Sequence, residues 1–374
     1  MSRRNRQSDP FRTLLKVMGL LAGAAAVFAV IFFGLRAFEG YTLNQKIKDT
    51  KDRNEKMQEQ YNAALAEYQS ATQSGQNIAW PSPKPEGWDV VDLSSFGLEN
   101  TNVVPTDRAT LLKGGMLLVN AWHALPADYP AGDVVSVMTG SGRQVPVANA
   151  DVKLFQPAID AINLALKDAA AAGLKDYFVN EGYRTNEKQT EMFEAKKAKL
   201  ESQYSGDTLI EQTKKAVNAP GTSEYQSGFS MEMSIYPNPN KLAFQASDQG
   251  KWLTENSWKY GLVFRFPTQN FPNSSWVDKS FKTGVTVTLN LYRYVGAPHA
   301  AVMHTLDLCL EEYVEYLIEH PHLAVYENNT LKYEIFRQPI GEDASVNVPV
   351  PIAAANYLAS LDNMGGLVMA YIYQ

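Results

Sequence analysis

The chain has 374 residues, of which 45% are hydrophobic and 20% are charged. This composition is ordinary for a folded protein, and the chain is long enough for more than one hydrophobic core, so general disorder is excluded. The net charge is −6 and no Lys/Arg-rich run follows the N-terminus, which argues against nucleic acid as a partner.

An uncharged, mainly apolar run from Val17 to Leu35 is long enough for one helix to cross a bilayer. Basic residues outnumber acids before it, which predicts a cytoplasmic N-terminus by the positive-inside rule. We therefore expect a cytoplasmic basic tail at 1–16, a transmembrane helix at 17–36 and an extracytoplasmic main domain. A cleaved signal peptide is the alternative, but the run is long for one and no A-x-A site follows it.

Residues 41–74 contain no Pro or Gly and are rich in Lys, Glu, Gln and Ala, which predicts a helical stalk at 37–79. Its apolar positions do not sustain heptads, so a solvated spacer is favoured over a coiled-coil dimer. The prolines that follow mark a linker and lead-in at 80–114.

Beyond the linker, helix-like and strand-like patterns alternate. Helices are predicted at Leu154–Ala172, at about 186–204, and along the apolar stripe of Leu310, Tyr313, Val314 and Leu317. Strands are predicted at Met116–Asn120, Tyr177–Asn180, Leu331–Phe336, Val346–Ile352 and Leu367–Tyr373. The last three predict a small β module at 319–374, packed on the main domain or following it.

Five segments, taken together and in order, resemble the VanY-type D-Ala-D-Ala carboxypeptidases over about residues 115–318. These segments are Leu117–Pro126, Glu181–Thr185, Pro220–Gly228, Trp252–Gly261 and Arg293–Gly296. The resemblance implies an α+β, hedgehog/D-Ala-D-Ala carboxypeptidase-like fold with a central antiparallel sheet. It also implies an extracytoplasmic peptidase that acts on peptidoglycan stem peptides with one zinc ion.

Family members hold zinc with His and Asp of an S-x-H-x-x-G-x-x-x-D pattern and with the His of a Glu-Pro-Trp-His segment, whose Glu is the base. Here Tyr225 stands at the first His position and Glu232 at the Asp position. A phenol is a poor zinc ligand at neutral pH. Between Gly261 and Pro298 there is neither His nor Glu, so the third ligand and the base are missing as well.

Other catalytic chemistry finds little support. A zinc site rebuilt from the histidines would need residues spread along the chain, and we expect surface or capping positions for them instead: His123, His299, His304, His320 and His322. No G-x-S-x-G or S-x-x-K motif is present, and the single cysteine, Cys309, lies on an apolar stripe that favours a buried structural thiol.

In contrast to the metal-ligand positions, the segments that face the substrate in the family keep matching residues in this sequence. Arg184 matches the family arginine that meets the substrate, and a guanidinium is suited to a peptide carboxylate. The alternative is an ion pair that orders the turn at Tyr183. Ser223 and Gln226 keep the polar loop beside it, so the resemblance implies substrate binding by Arg184, Ser223 and Gln226.

These features predict a membrane-tethered pseudo-peptidase without a cofactor, which binds a stem peptide or an envelope partner and does not hydrolyse it. One alternative is an active metallo-carboxypeptidase with an atypical metal site that includes Glu232. The other is a structural envelope module with a closed cleft.

Because the charge asymmetry places everything after 36 outside, protease added to intact protoplasts should remove the main domain. An antibody against a tag at the N-terminus would follow the remaining fragment. Protection of the whole chain in intact protoplasts, with digestion after lysis as the control, would reverse the predicted orientation.

Overall fold

The computed structural model describes residues 81–373 except 273, 286–289 and 342, together with Gln45 and Lys48. Residues 81–373 belong to one compact unit, Ala79–Gln374. The predicted basic tail and transmembrane helix, and all of the predicted stalk but Gln45 and Lys48, lie outside the described residues. No helix within the described part is long and apolar enough to span a bilayer.

The described part contains strands and helices in mixed order. The strands are β1 (Trp88–Asp92), β2 (Thr101–Asp107), β3 (Val135–Ser136), β4 (Lys153–Leu154), β5 (Tyr177–Glu181), β6 (Ser230–Ile235), β7 (Leu262–Phe264), β8 (Leu291–Tyr294), β9 (His322–Glu327), β10 (Thr330–Pro339), β11 (Ser345–Pro351), β12 (Asn356–Leu361) and β13 (Gly366–Ile372). The α-helices are α1 (Arg108–Leu112), α2 (Val137–Gly140), α3 (Gln156–Ala171), α4 (Asn186–Leu200), α5 (Gly206–Ala216), α6 (Asp248–Asn256), α7 (Ser280–Thr283), α8 (Ala297–Thr305) and α9 (Leu310–Glu319).

The predicted central antiparallel sheet is confirmed. Its strand order is β5-β6-β8-β7, and every pairing is antiparallel. Side chains along β6 alternate between faces, so Met231 and Met233 enter the core while Glu232 lies on the opposite face. The register places Glu232 opposite Glu181 of β5 and Leu291 of β8.

The helix predicted at 154–172 is confirmed as α3. It packs against the hydrophobic core of this sheet. Its buried face includes Ile159 and Ile162, which lie three residues apart on one side. The chain leaves the helix at Gly173, whose φ of +86° belongs to the left-handed region that glycine adopts without strain. The helix predicted at 186–204 is also present, as α4, but ends at Leu200.

A second sheet joins the beginning and the end of the described part in the order β1-β9-β10-β13-β12. The three predicted C-terminal strands are confirmed as β10, β11 and β13. Strand β1 comes from the predicted lead-in yet pairs with β9, and β2 likewise pairs with β11. The C-terminal β strands are therefore hydrogen-bonded to the lead-in as well as to one another.

The strand predicted at Met116–Asn120 is wrong. The segment is buried but irregular, with one isolated bridge between Asn120 and His123. Side chains satisfy its backbone in place of a neighbouring strand: the Met116 N–H donates to Ser360, and Asn363 bonds both polar groups of Leu118. Its apolar side chains are buried in two hydrophobic clusters that also contain alternate side chains of β13. A buried irregular segment therefore has the same apolar pattern as a short buried strand.

A buried ionic cluster of Glu224, Arg265, Arg293 and Glu311 ties these elements together, and we call it the ionic core. Arg265 Nε lies 2.5 Å from Glu224 Oε1, and Arg293 Nη1 lies 2.7 Å from Glu224 Oε2. The other side of the Arg265 guanidinium donates to both oxygens of Glu311, at 2.9 and 2.6 Å. Arg293 Nη2 also donates to the carbonyls of Gly115 and Leu117, which fixes the irregular segment.

All four side chains of the ionic core are buried. Burial disfavours the ionised form of Glu224, but the charges of Arg265 and Arg293 and a hydrogen bond from Ser230 outweigh it and lower the pKa of Glu224 below its ordinary value of 4.5. A carboxyl group with a lowered pKa stabilises the fold above its unfolded pKa. That contribution is lost as the pH falls through the folded pKa.

Glu224→Gln should lower the free energy of unfolding by about 3–5 kcal/mol, because it leaves two buried guanidinium groups with too little negative charge. Urea unfolding at neutral pH measures the change. Glu191→Gln is the matched control, since Glu191 pairs with Lys188 on an exposed helix face and should contribute less than about 1 kcal/mol. Equal losses in the two variants would contradict a structural role for the ionic core.

Candidate functional site

The motif at 223–232 folds into a 3-10 turn, Glu224–Ser227, followed directly by β6. Gly228 connects them with a φ of +71°, and a Cβ there would lie 2.8 Å from the Phe155 ring. Glycine is therefore required both by the backbone and by the close packing. This turn folds the chain back so that Tyr225 and Glu232 face each other.

Tyr225 and Glu232 are joined by a hydrogen bond in which the phenol oxygen donates to Glu232 Oε2 at 2.7 Å. The second carboxylate oxygen, Oε1, accepts from Asn180 at 2.8 Å. Both oxygens of Glu232 thus already have a partner within the protein. The two residues predicted to stand at metal-ligand positions thus form a phenol–carboxylate pair.

The phenol of Tyr225 stays protonated at neutral pH. Burial raises the pKa of Tyr225 well above its ordinary range, and the adjacent charge of Glu232 raises it further. Zinc coordination by tyrosine requires the phenolate, so this environment opposes metal binding by Tyr225. No cluster of three or more His, Cys, Asp or Glu side chains that could hold a metal occurs among the residues that the structure describes.

Arg184 lies beside this pair but is engaged within the protein. Its Nε and Nη2 donate to Glu181 Oε1 at 2.9 and 2.5 Å, and its Nη1 donates to Gln189 at 2.8 Å. The guanidinium also stacks on the Tyr225 ring, 4.3 Å from the centroid. Only 10% of its side chain is exposed. The ion pair considered as the alternative role is thus present, while substrate binding by Arg184 stays a prediction.

Ser223 and Gln226 are both buried in the polar loop. Gln226 accepts from the Gly221 N–H at 2.8 Å and donates to Asn186 at 3.1 Å, so its amide orders the loop from within. Ser223 lines a cavity of about 270 Å³ together with Tyr225. The structure brings Ser223 and Tyr225 to one cavity and places the Gln226 amide in the surrounding framework. Their predicted roles in substrate binding stay untested.

The five histidines do not converge on one site within the described structure. His299 is buried and bonds Tyr313 at 2.8 Å, and burial lowers the pKa of His299 to about 3. His322 is also buried and bonds Glu334 at 2.7 Å. The prediction of surface or capping positions is wrong for these two, because each has a polar partner that permits burial.

Cys309 is buried at the residue before α9, as predicted, and burial raises the pKa of its thiol. Such a thiol is a poor nucleophile at neutral pH because little of it is ionised.

The sequence analysis missed one residue that contacts Glu232 and two that line the cavity. Asn180 holds Glu232, and its only signal is its place in a strand next to the matched Glu181 segment. Lys214 and Lys215 line the cavity from the end of α5. Two adjacent lysines on a helix are usually solvated, so nothing in the sequence alone marks them.

Comparison with known proteins gives a family for this fold. Residues 151–278 match the family model of VanY, D-alanyl-D-alanine carboxypeptidase. A D-alanyl-D-alanine carboxypeptidase of Enterococcus faecium is 26% identical over 277 residues, which span 72% of this chain and 79% of the relative. One of Enterococcus faecalis is 30% identical over 217 residues, which span 58% of this chain and 71% of the relative.

Among solved structures, the fold is similar to the vancomycin-resistance D,D-dipeptidase VanXYg in complex with a D-Ala-D-Ala phosphinate analog. The TM-score is 0.56 at 18% identity, over 74% of this chain and 100% of that one, so this likeness concerns the fold alone. The identity and coverage of the Enterococcus faecalis relative, with the match to the family model, show that the chain belongs to the VanY-type D-alanyl-D-alanine carboxypeptidase family.

Proposed function

We propose that this chain is a membrane-anchored, extracytoplasmic pseudo-peptidase that binds peptidoglycan stem peptide, or an envelope partner, without hydrolysing it. The observation that carries the proposal is the 2.7 Å hydrogen bond from Tyr225 to Glu232. It joins the two side chains that stand where the family binds zinc, and it leaves neither free to act as a ligand.

The zinc reaction needs three protein ligands, an open coordination position for water, and a base to take the proton of that water. The phenol of Tyr225 is protonated, and both oxygens of Glu232 accept hydrogen bonds. Neither His nor Glu occurs between Gly261 and Pro298 to supply the third ligand or the base. The residues present therefore do not fit the zinc site of the family.

Binding without hydrolysis is supported by the cavity beside Tyr225. Side chains of the ionic core hold its walls: Glu224 lies in the turn with Tyr225, and Arg293 donates to carbonyl groups of the irregular segment. A cleft with walls held in this way can recognise a peptide without cleaving it.

A structural envelope module is the second candidate, and the contacts of Arg184 favour it. Glu181 and Gln189 occupy the guanidinium that would otherwise meet a substrate carboxylate. In that case the segment matched to the substrate site would serve only the fold. The two candidates differ in whether the cavity binds a peptide.

The full chain, purified in detergent, should contain far less than one equivalent of zinc by elemental analysis, since Tyr225 and Glu232 are bonded to each other. It should also release no D-Ala from a synthetic stem pentapeptide. Stoichiometric zinc together with chelator-sensitive D-Ala release would overturn the proposal and support an atypical metal site containing Glu232.

The double variant Tyr225→His, Glu232→Asp serves as the control for this experiment. It restores the residue types at two ligand positions but supplies no third ligand or base, so no hydrolysis is expected. Adding a Glu-Pro-Trp-His segment before Arg293 is the change that should be needed for activity. Zinc-dependent release of D-Ala by the double variant alone would show that the third ligand lies elsewhere.

A further inference from the structure

The cavity beside Tyr225 presents positive charge to a ligand. Three ionisable charges line it besides the phenol: Glu224, Lys214 and Lys215. Glu224 is neutralised by Arg265 and Arg293 within the ionic core. The two lysines are exposed at the end of α5, so the charge that an entering group meets is cationic.

The two lysines differ in whether their ammonium groups form an ion pair. Lys214 Nζ lies 3.1 Å from Glu211 of the same helix, an i,i+3 ion pair. Lys215 makes no ion pair or side-chain hydrogen bond with any other residue that the structure describes. Among the described residues that line the cavity, Lys215 is therefore the basic residue without a partner, and its ammonium group can meet an anion.

Arg184 is the residue that the family resemblance implies for substrate binding, but its guanidinium already has partners within the protein. Its donors face Glu181 and Gln189, and the Tyr225 ring covers one face of the guanidinium. A ligand carboxylate at Arg184 would have to displace a 2.5 Å charge-assisted contact. A carboxylate at Lys215 would displace only water.

We propose that Lys215 is the residue of this cavity that binds the C-terminal carboxylate of the short peptide ligand. The inference rests on the proposed function and names the determinant of its binding. Asn218 and Ser223 add polar groups to the same cavity, where the peptide amides would find partners.

The size and walls of the cavity support this ligand class. Its volume of about 270 Å³ is close to the lower end of the roughly 300–1,000 Å³ typical of ligand pockets. It therefore suits one or two small residues rather than a larger peptide. Phe266, Val285 and Leu291 form an apolar wall that suits a methyl side chain and would exclude water from it.

Calorimetric titration of the full chain with a synthetic stem pentapeptide ending in D-Ala-D-Ala tests this inference. Lys215→Ala should weaken binding about three- to tenfold, because it removes a charge-assisted hydrogen bond that remains partly open to solvent. The C-terminal amide of the peptide should bind wild type about as weakly as the acid binds Lys215→Ala. Lys215→Arg, which retains the charge, should recover most of the affinity.

Lys214→Ala is the matched control, and it should change the affinity less than twofold because the Lys214 ammonium already pairs with Glu211. Equal losses from Lys214→Ala and Lys215→Ala would indicate unspecific attraction and overturn the assignment. Arg184→Ala should lower the melting temperature and, where it stays folded, weaken binding less than Lys215→Ala does. Loss of binding in Arg184→Ala with none in Lys215→Ala would assign the carboxylate to Arg184 instead.

The outcomes for wild type separate the two proposals. If wild type binds the acid and the amide equally, the role of Lys215 is wrong while peptide binding stands. If wild type binds neither, both the peptide-binding function and the role of Lys215 are wrong, and the structural module remains.

Discussion

The ionic core is the interaction on which the rest of the site depends. Glu224 shares its two carboxylate oxygens between Arg265 and Arg293, and Arg265 extends the cluster to Glu311 on α9. These residues come from a turn, the loop after β7, strand β8 and helix α9, which lie far apart in the sequence. Because an unpaired charge is so costly when buried, all four elements must meet in one arrangement.

The ionic core also fixes the turn that carries Tyr225. Glu224, the residue just before Tyr225, anchors the turn through its ion pair with Arg293. Tyr225 and Asn180 each donate a hydrogen bond to the Glu232 carboxylate. Each oxygen of the half-buried Glu232 carboxylate therefore has a hydrogen-bond partner.

The sequence predicted the elements whose signals are local. Helices α3 and α9 have sustained apolar stripes, and the strands of the C-terminal region are rich in β-branched and aromatic residues. It failed at Met116–Asn120, where side chains from distant Ser360 and Asn363 satisfy the backbone. The pairing of the lead-in with the C-terminal strands was likewise invisible, because strand partners are chosen by long-range contacts.

The residues of the site also fall into those that local signals predict and those that depend on long-range contacts. Motif spacing singled out Tyr225 and Glu232 together, and their juxtaposition follows from the turn and strand between them. The charge balance of Arg184 and Lys215 depends instead on which side chains reach them in space. Glu181 lies three residues before Arg184 and neutralises it, whereas Lys215 reaches the cavity only because α5 ends there. Whether a basic residue can meet a ligand therefore depends on which side chains already pair with its charge, and that pairing cannot be seen in the motif alone.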